Sequence, residues 1–378
     1  MIYLDNHSTT QVDKKVLKKM LPFFTDKFNN PHSQITAHNK SIIIQISKAR
    51  SNIAKLIGAE ADEIIFTSGA TESNNLAIKG LKSYILRGKN HFITLNTEHK
   101  CVLEALRKLE FEGAKVTILK VNKNGLIKPE EIEKRITKKT LMVTIMTANN
   151  ETGVIQPIEK ISKICKSKGV FFHTDAAQAV GKINIDVKKM NIDMLSISGH
   201  KFYGPKGIGA LYIRRYPRIR LMPLIDGGGQ EISLRSGTLP VPLCIGLGEA
   251  ARIAKGQINK EAKKCRSLRN YLLKSLKKNI KNIVVNGDMK SRLPSNLNIS
   301  IPKIKSEILI KKLKHTVISS GSACTASSIE LSYVLSAMGL TKNRVESSIR
   351  IGLGRFTTKN DINLAVKDIT NTVKKLQE

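Results

Sequence analysis

Short runs rich in β-branched and aromatic residues punctuate the first half of the chain: EIIFT (63–67), HFITL (91–95), KVTILK (115–120), LMVTIMT (141–147), VFFHTD (170–175), DMLSIS (193–198) and IGALYI (208–213). Between most of them, apolar residues fall at helical spacing, as Ile158, Ile161, Ile164 and Cys165 do. Strands of this kind alternating with helices predict an α/β fold with a central, mostly parallel sheet and helices on both faces. After about residue 243 the pattern becomes one long helical stretch, then shorter strands and helices. In the last helix, Thr358 and Asp361 form a capping pair ahead of Ile362, Ala365, Val366, Ile369, Val373 and Leu376 on one face. We read residues 11–254 as a large domain. Residues 255–378 form a smaller α+β domain, with residues 1–10 packed against it.

Composition narrows the class. A chain of 378 residues with 41% hydrophobic and 25% charged residues can bury a large core, which argues against a disordered protein. The net charge of +34 is unusual. Its lysines are scattered, without an arginine-rich arm or a basic block interleaved with aromatics, so nucleic acid is not expected as a direct partner. Five cysteines at 101, 165, 244, 265 and 324 contain no C-x-x-C pair, which argues against a disulfide framework or a zinc site and for reduced thiols in the cytoplasm. MIYLDNHSTT is neither a signal peptide nor a transit sequence. No apolar run approaches the ~20 residues of a membrane span.

Three loops follow strands, where an α/β sheet places its ligands. In TSGATESNN (67–75) the backbone N–H groups at Gly69, Ala70 and Thr71 suit a phosphate at a helix N-terminus; a Ser/Thr helix cap is the alternative. In HTDAAQAVGK (173–182), Asp175 ends an apolar strand and could pair with a protonated heterocyclic nitrogen, or serve only as an N-cap. In SISGHKFYGPKG (196–207), Ser198 and His200 offer further phosphate or ring contacts, and a partly desolvated Lys201 amine can condense with an aldehyde. Lysine, aspartate and phosphate cradle at successive strand ends describe a pyridoxal phosphate site.

These motifs, with YLDNHSTT, NPHS (30–33), TEHKCVL (97–103), NNETG (149–153), RSGTLPVP (235–242), SSGSACTASS (319–328) and SSIRIGLGRFT (347–357), run in order over almost the whole chain. The chain resembles the pyridoxal-phosphate-dependent cysteine desulfurases of the class-V aminotransferase group, of the IscS/NifS-like, iron–sulfur-assembly type. The resemblance implies the fold-type-I architecture of that group. It implies that Lys201 holds the cofactor, Asp175 faces its ring nitrogen, and Ala70, Thr71, Ser198 and His200 bind its phosphate. Gln178 would contact the ring hydroxyl, His99 would stack on the ring and exchange protons, and Asn150 would serve cofactor and substrate. Thr238 matches a residue that reaches the neighbouring subunit's phosphate, which implies a homodimer.

A lone cysteine is usually a small apolar core residue. SSGSACTASS has almost no bulk to pack, so Cys324 reads instead as a loop thiol. The resemblance makes it the nucleophile that takes the substrate sulfur as a persulfide, and a transient ligand of an iron–sulfur cluster; Arg350 would clamp the carboxylate of L-cysteine. The implied activity converts L-cysteine to L-alanine and supplies sulfur to an iron–sulfur scaffold protein, to other acceptors and to tRNA thiolation. Cys101, Cys165, Cys244 and Cys265 lie in predicted helices and receive no role. The sequence ends at Glu378, where assembly-type members usually continue into a scaffold-docking segment, so that contact is the one the resemblance does not carry over. A selenocysteine lyase or aminotransferase of the same fold, and a basic binding protein with a decayed site, are the alternatives.

Overall fold

The computed structural model describes residues 1–33, 37–320 and 331–377. Its strands are β1 (Ile2–Tyr3), β2 (Ile64–Thr67), β3 (His91–Leu95), β4 (Lys115–Leu119), β5 (Thr140–Thr144), β6 (Phe171–Asp175), β7 (Met194–Ser198), β8 (Gly209–Ile213), β9 (Val284–Val285), β10 (Asn296–Ser300), β11 (Thr316–Val317) and β12 (Ser348–Gly352). β2 to β8 form one sheet in the order β2-β8-β7-β6-β5-β3-β4. All its pairings are parallel except those of β8, which runs antiparallel to both neighbours. β2 and β7, each antiparallel to β8, therefore point the same way, and β2, β3, β5, β6 and β7 share one carboxyl edge.

Side chains alternate across these strands, so each strand feeds two cores. Ile64, Phe66, Ile93, Leu95, Phe172, Leu195, Ile197, Ala210 and Tyr212 join the core on one face, with residues of the helices Ala37–Ile57, Ile158–Ser167 and Val241–Asn279. Ile65, Phe92, Met142, Met194, Leu211 and Ile213 join the core on the other face, under the helices Ala70–Lys79 and Lys100–Phe111. Strand residues apolar on both sides are what made these segments readable as continuous hydrophobic runs.

A third core gathers Ile2, Leu4, Leu272, Leu276, Leu297, Ile299, Ile349, Ile351, Ile362, Ala365, Ile369 and Val373. It is built on the small antiparallel sheet β12-β10-β9, the parallel pair β1-β11 and the helix Lys359–Gln377. At the start of that helix Thr358 and Asp361 bond reciprocally: Thr358 N and Oγ1 donate to Asp361 Oδ2, and Asp361 N to Thr358 Oγ1. The long helix Val241–Asn279 supplies side chains to both the first and the third core and so links them. Among the described residues, no helix is long and apolar enough to cross a membrane.

Candidate active site

The carboxyl edge of the large sheet carries the candidate chemistry. Beyond β2 the chain turns at Ser68 and Gly69 into the helix Ala70–Lys79; beyond β3, His99 caps the helix Lys100–Phe111. Asp175 ends β6, Ser198 ends β7, and His200 and Lys201 lie in the single turn Gly199–Lys201 that follows. Ala70, Thr71, His99, Asn150, Asp175, Gln178, Ser198, His200, Lys201 and Arg350 all line one cleft of about 510 Å³. Two expected residues are not among them. Thr238 is exposed and does not line this cleft, and Cys324 lies outside the described residues.

Each group is held by specific neighbours. Asp175 is 5% exposed; Oδ2 accepts from Asn74 Nδ2 at 2.7 Å and Oδ1 from Ala177 N at 2.9 Å. Lys201 Nζ donates to the carbonyls of His7 (2.8 Å) and Ser8 (2.7 Å), on an N-terminal strap that lines the cleft. The strap is tied to the lysine turn, since Thr10 N and Thr10 Oγ1 both donate to His200 O, and His200 Nδ1 meets Thr9 Oγ1 at 3.0 Å. Burial, followed by the charges of Lys201, Lys206 and Lys182, brings the His200 pKa down to about 4, so this ring is neutral at pH 7.

Arg350 reaches the cleft from β12 of the small sheet and is 3% exposed. Nη1 donates to Asn150 O at 3.0 Å, and Nη2 to Asp5 Oδ1 and Ser8 Oγ, both at 2.7 Å. His99 Nδ1 accepts from Cys101 N at 3.2 Å and lies 3.0 Å from Cys101 Sγ, which also accepts from Asn74 Nδ2 at 3.1 Å. The next residue back, Glu98, is fully buried. Burial holds its pKa well above the ordinary carboxylate value, while both its oxygens accept from Met146 N.

The donor set suits pyridoxal phosphate: a lysine amine for the aldehyde, a buried carboxylate for the ring nitrogen, and hydroxyls beside a helix N-terminus for the phosphate. Two local observations agree. A Cβ on Gly69 would meet no atom within 4 Å, so the turn borders open space. A Cβ on Gly209 would come within 2.6 Å of Gly69 Cα, so only glycine lets β8 pass that close beneath it. In the same walls, Asn150 Oδ1 and Arg350 Nε are buried without a hydrogen-bond partner among the described residues.

The family model for aminotransferase class-V matches residues 2–364. The chain belongs to the class-V aminotransferases, among the cysteine desulfurases. It is 54% identical to the "Cysteine desulfurase IscS" of Ehrlichia chaffeensis and 52% identical to that of Rickettsia bellii, covering 100% of this chain and 92% of each relative. A solved "NIFS-LIKE PROTEIN" superposes with a TM-score of 0.92 at 36% identity, over 99% of both chains. "SspA in complex with cysteine" does so at 0.84 and 40% identity, over 95% of this chain and 100% of the other. The cofactor of this family is pyridoxal phosphate.

Several cleft residues were not singled out from the sequence of this desulfurase. Cys101, given no role as a helical residue, stands in the cleft wall because it opens the first turn of its helix. His7 and Ser8 in the wall, and Asn74 behind Asp175, act through main-chain carbonyls or by holding another side chain. The motif YLDNHSTT was the signal available for the strap.

Proposed function

We propose that this cysteine desulfurase binds pyridoxal phosphate and L-cysteine in the cleft described above and passes the substrate sulfur to Cys324. The reading is supported chiefly by one observation: Lys201, Asp175, the Ser68–Thr71 turn and Arg350 meet in one cavity although they come from four separate parts of the chain. Lys201 would hold the cofactor through its aldehyde, Asp175 would keep the ring nitrogen protonated, and Ala70, Thr71, Ser198 and His200 would grip the phosphate. When bound, the cofactor supplies an electron sink for the charge left as the substrate α-proton departs.

The chain's own residues do the rest. Arg350 holds the substrate carboxylate, with Asp5 as its standing counter-ion. Lys201 Nζ, beside the His7 and Ser8 carbonyls, takes the α-proton and returns it. His99 exchanges protons from the wall of the cleft. The Cys324 thiolate attacks the substrate sulfur: an S–S bond forms, the substrate C–S bond breaks, and protonation of carbon yields L-alanine with one persulfide on the enzyme. Burial raises the thiol pKa values of Cys165, Cys244 and Cys265, which makes them poor nucleophiles.

The finer assignments have their own support. Exposed Thr238, standing outside its own cleft, suits a contact with a second copy's phosphate in a homodimer. The iron–sulfur scaffold, other sulfur acceptors and tRNA thiolation follow the resemblance to the assembly-type desulfurases, and the IscS name of the relatives is consistent with iron–sulfur assembly. Free thiols at the four described cysteines suit the cytoplasm. The grouping of Ile2 and Leu4 with the third core supports assigning residues 1–10 to the smaller domain with 255–378, beside 11–254. A transient iron–sulfur ligand role at the Cys324 persulfide follows the resemblance to the iron–sulfur-assembly desulfurases. The test is Cys324→Ala, which keeps the cofactor and its spectral response to L-cysteine but forms no persulfide. Sustained alanine and sulfide release by that variant in the presence of a thiol reductant would overturn the assignment.

A further inference from the structure

The Gln178 amide, in the cleft wall, is pinned on both sides. Nε2 donates to the His7 carbonyl at 2.9 Å; a carbonyl only accepts, so the atom facing it is the amide nitrogen. The amide oxygen therefore faces the other way, where it meets His7 Nδ1 at 2.9 Å and Lys182 Nζ at 3.0 Å. An amide oxygen also only accepts. Both partners must donate, and His7 carries its proton on Nδ1.

His7 is 1% exposed, and its pKa is pushed well below the ordinary value by burial first and then by Lys182 and Arg350. The ring is therefore neutral at pH 7, with one proton to place. Lys182 is 9% exposed and makes no ion pair among the described residues. Burial and the charge of Lys201 bring its pKa down to about 7. A buried lysine without a carboxylate costs stability, and here its hydrogen bond goes to a cleft residue.

We propose that His7 and Lys182 are positioning residues of the desulfurase: converging as donors on Gln178 Oε1, they hold the Gln178 amide nitrogen beside Lys201, the two nitrogens sharing the His7 carbonyl. This leaves the second Nε2 hydrogen as the donor Gln178 offers to a ligand, and it rests on the reading that Gln178 contacts the cofactor ring hydroxyl. Neither His7 nor Lys182 needs to touch the cofactor.

The first test uses the unmutated full-length protein with ¹⁵N-labelled histidine, with and without pyridoxal phosphate, the His7 signals being assigned by their loss in His7→Gln. Nδ1–H at His7 is expected; Nε2–H or an even mixture of tautomers would overturn the proposal. The second test titrates pyridoxal phosphate by absorbance. Lys182→Met and Gln178→Ala should each weaken binding about three- to tenfold, the range for one lost hydrogen bond. Because Lys182 acts through Gln178, adding Lys182→Met to Gln178→Ala should change affinity by less than about twofold. Multiplying losses, or wild-type affinity in Lys182→Met, would overturn it. Should Lys182→Met fail to fold, the tautomer decides. If Gln178→Ala binds like wild type, the cofactor role of Gln178 fails, whereas Nδ1–H at His7 would still uphold the pinned amide.

Discussion

Arg350→Met separates the substrate clamp from the scaffold that carries it. The guanidinium commits three N–H donors, to Asn150 O, Asp5 Oδ1 and Ser8 Oγ. Its Nε–H has no partner among the described residues, so donors remain for a substrate carboxylate. Charge-assisted bonds of this kind contribute about 1.5–3 kcal/mol each. Losing a two-point clamp costs about 3–5 kcal/mol, or roughly two to four decades in kcat/KM. The same substitution leaves the largely buried Asp5 carboxylate unpaired, which lowers stability by about 3–5 kcal/mol. Urea unfolding therefore has to accompany the kinetics. The discriminating ligand is cysteamine, which keeps the amine and thiol of cysteine and lacks the carboxylate. Alanine release from L-cysteine should fall by roughly 10²–10⁴-fold in Arg350→Met, while the half-saturating cysteamine concentration, read from the cofactor spectrum, changes less than about threefold. Equal losses for both ligands, or a cysteine loss below about tenfold in a folded variant, would refute the clamp.

Asp175→Asn keeps one oxygen, able to accept from Ala177 N, turns the position that accepts from Asn74 into an amide donor, and removes the charge proposed to face the ring nitrogen. It should bind cofactor and lose roughly 10²-fold or more in kcat, since truncating a buried charge pair costs about 2–5 kcal/mol; full activity would contradict its role. Acid should weaken the fold through histidines buried in the neutral form. His173, between Thr144 Oγ1 and Ser196 Oγ, has its pKa lowered to about 3 by burial, and His200 to about 4. The unfolded chain takes up protons at these positions near its ordinary value of about 6.5 and the folded chain does not, so their contribution is complete above pH ~6.5 and is lost as pH falls toward 4. Urea midpoints between pH 7.5 and 5 should decline less steeply in His173→Gln than in wild type; identical slopes would contradict this.

Seven strand segments were legible because each is a short run rich in β-branched and aromatic residues flanked by turn residues, and the observed strands fall within the predicted runs to within three residues, with one residue added at Thr140. The reversed direction of β8 was not legible. IGALYI reads the same in either orientation, and only the short connection from β7 hints at it. The cleft wall was legible from its motifs, since Lys201, Asp175 and Gly69 to Thr71 stand at or just beyond strand ends. The strap carrying Asp5, His7 and Ser8 acts through long-range contacts, including 194 positions along the chain from His7 to Lys201, which no local pattern encodes. Arg350 illustrates the same limit. The resemblance gave it a substrate, but its resting partner Asp5 appears only when β12 meets the strap.

The central claim is that one amine, Lys201, carries the cofactor in this cleft, although Lys206 stands in the same wall and Lys182 lies close behind it. Borohydride reduction of the holoprotein, followed by digestion and mass mapping, tests it most directly. The cofactor mass is predicted on the peptide containing Lys201 and nowhere else. Label on Lys206 or Lys182, or no label on a yellow protein, would contradict the account.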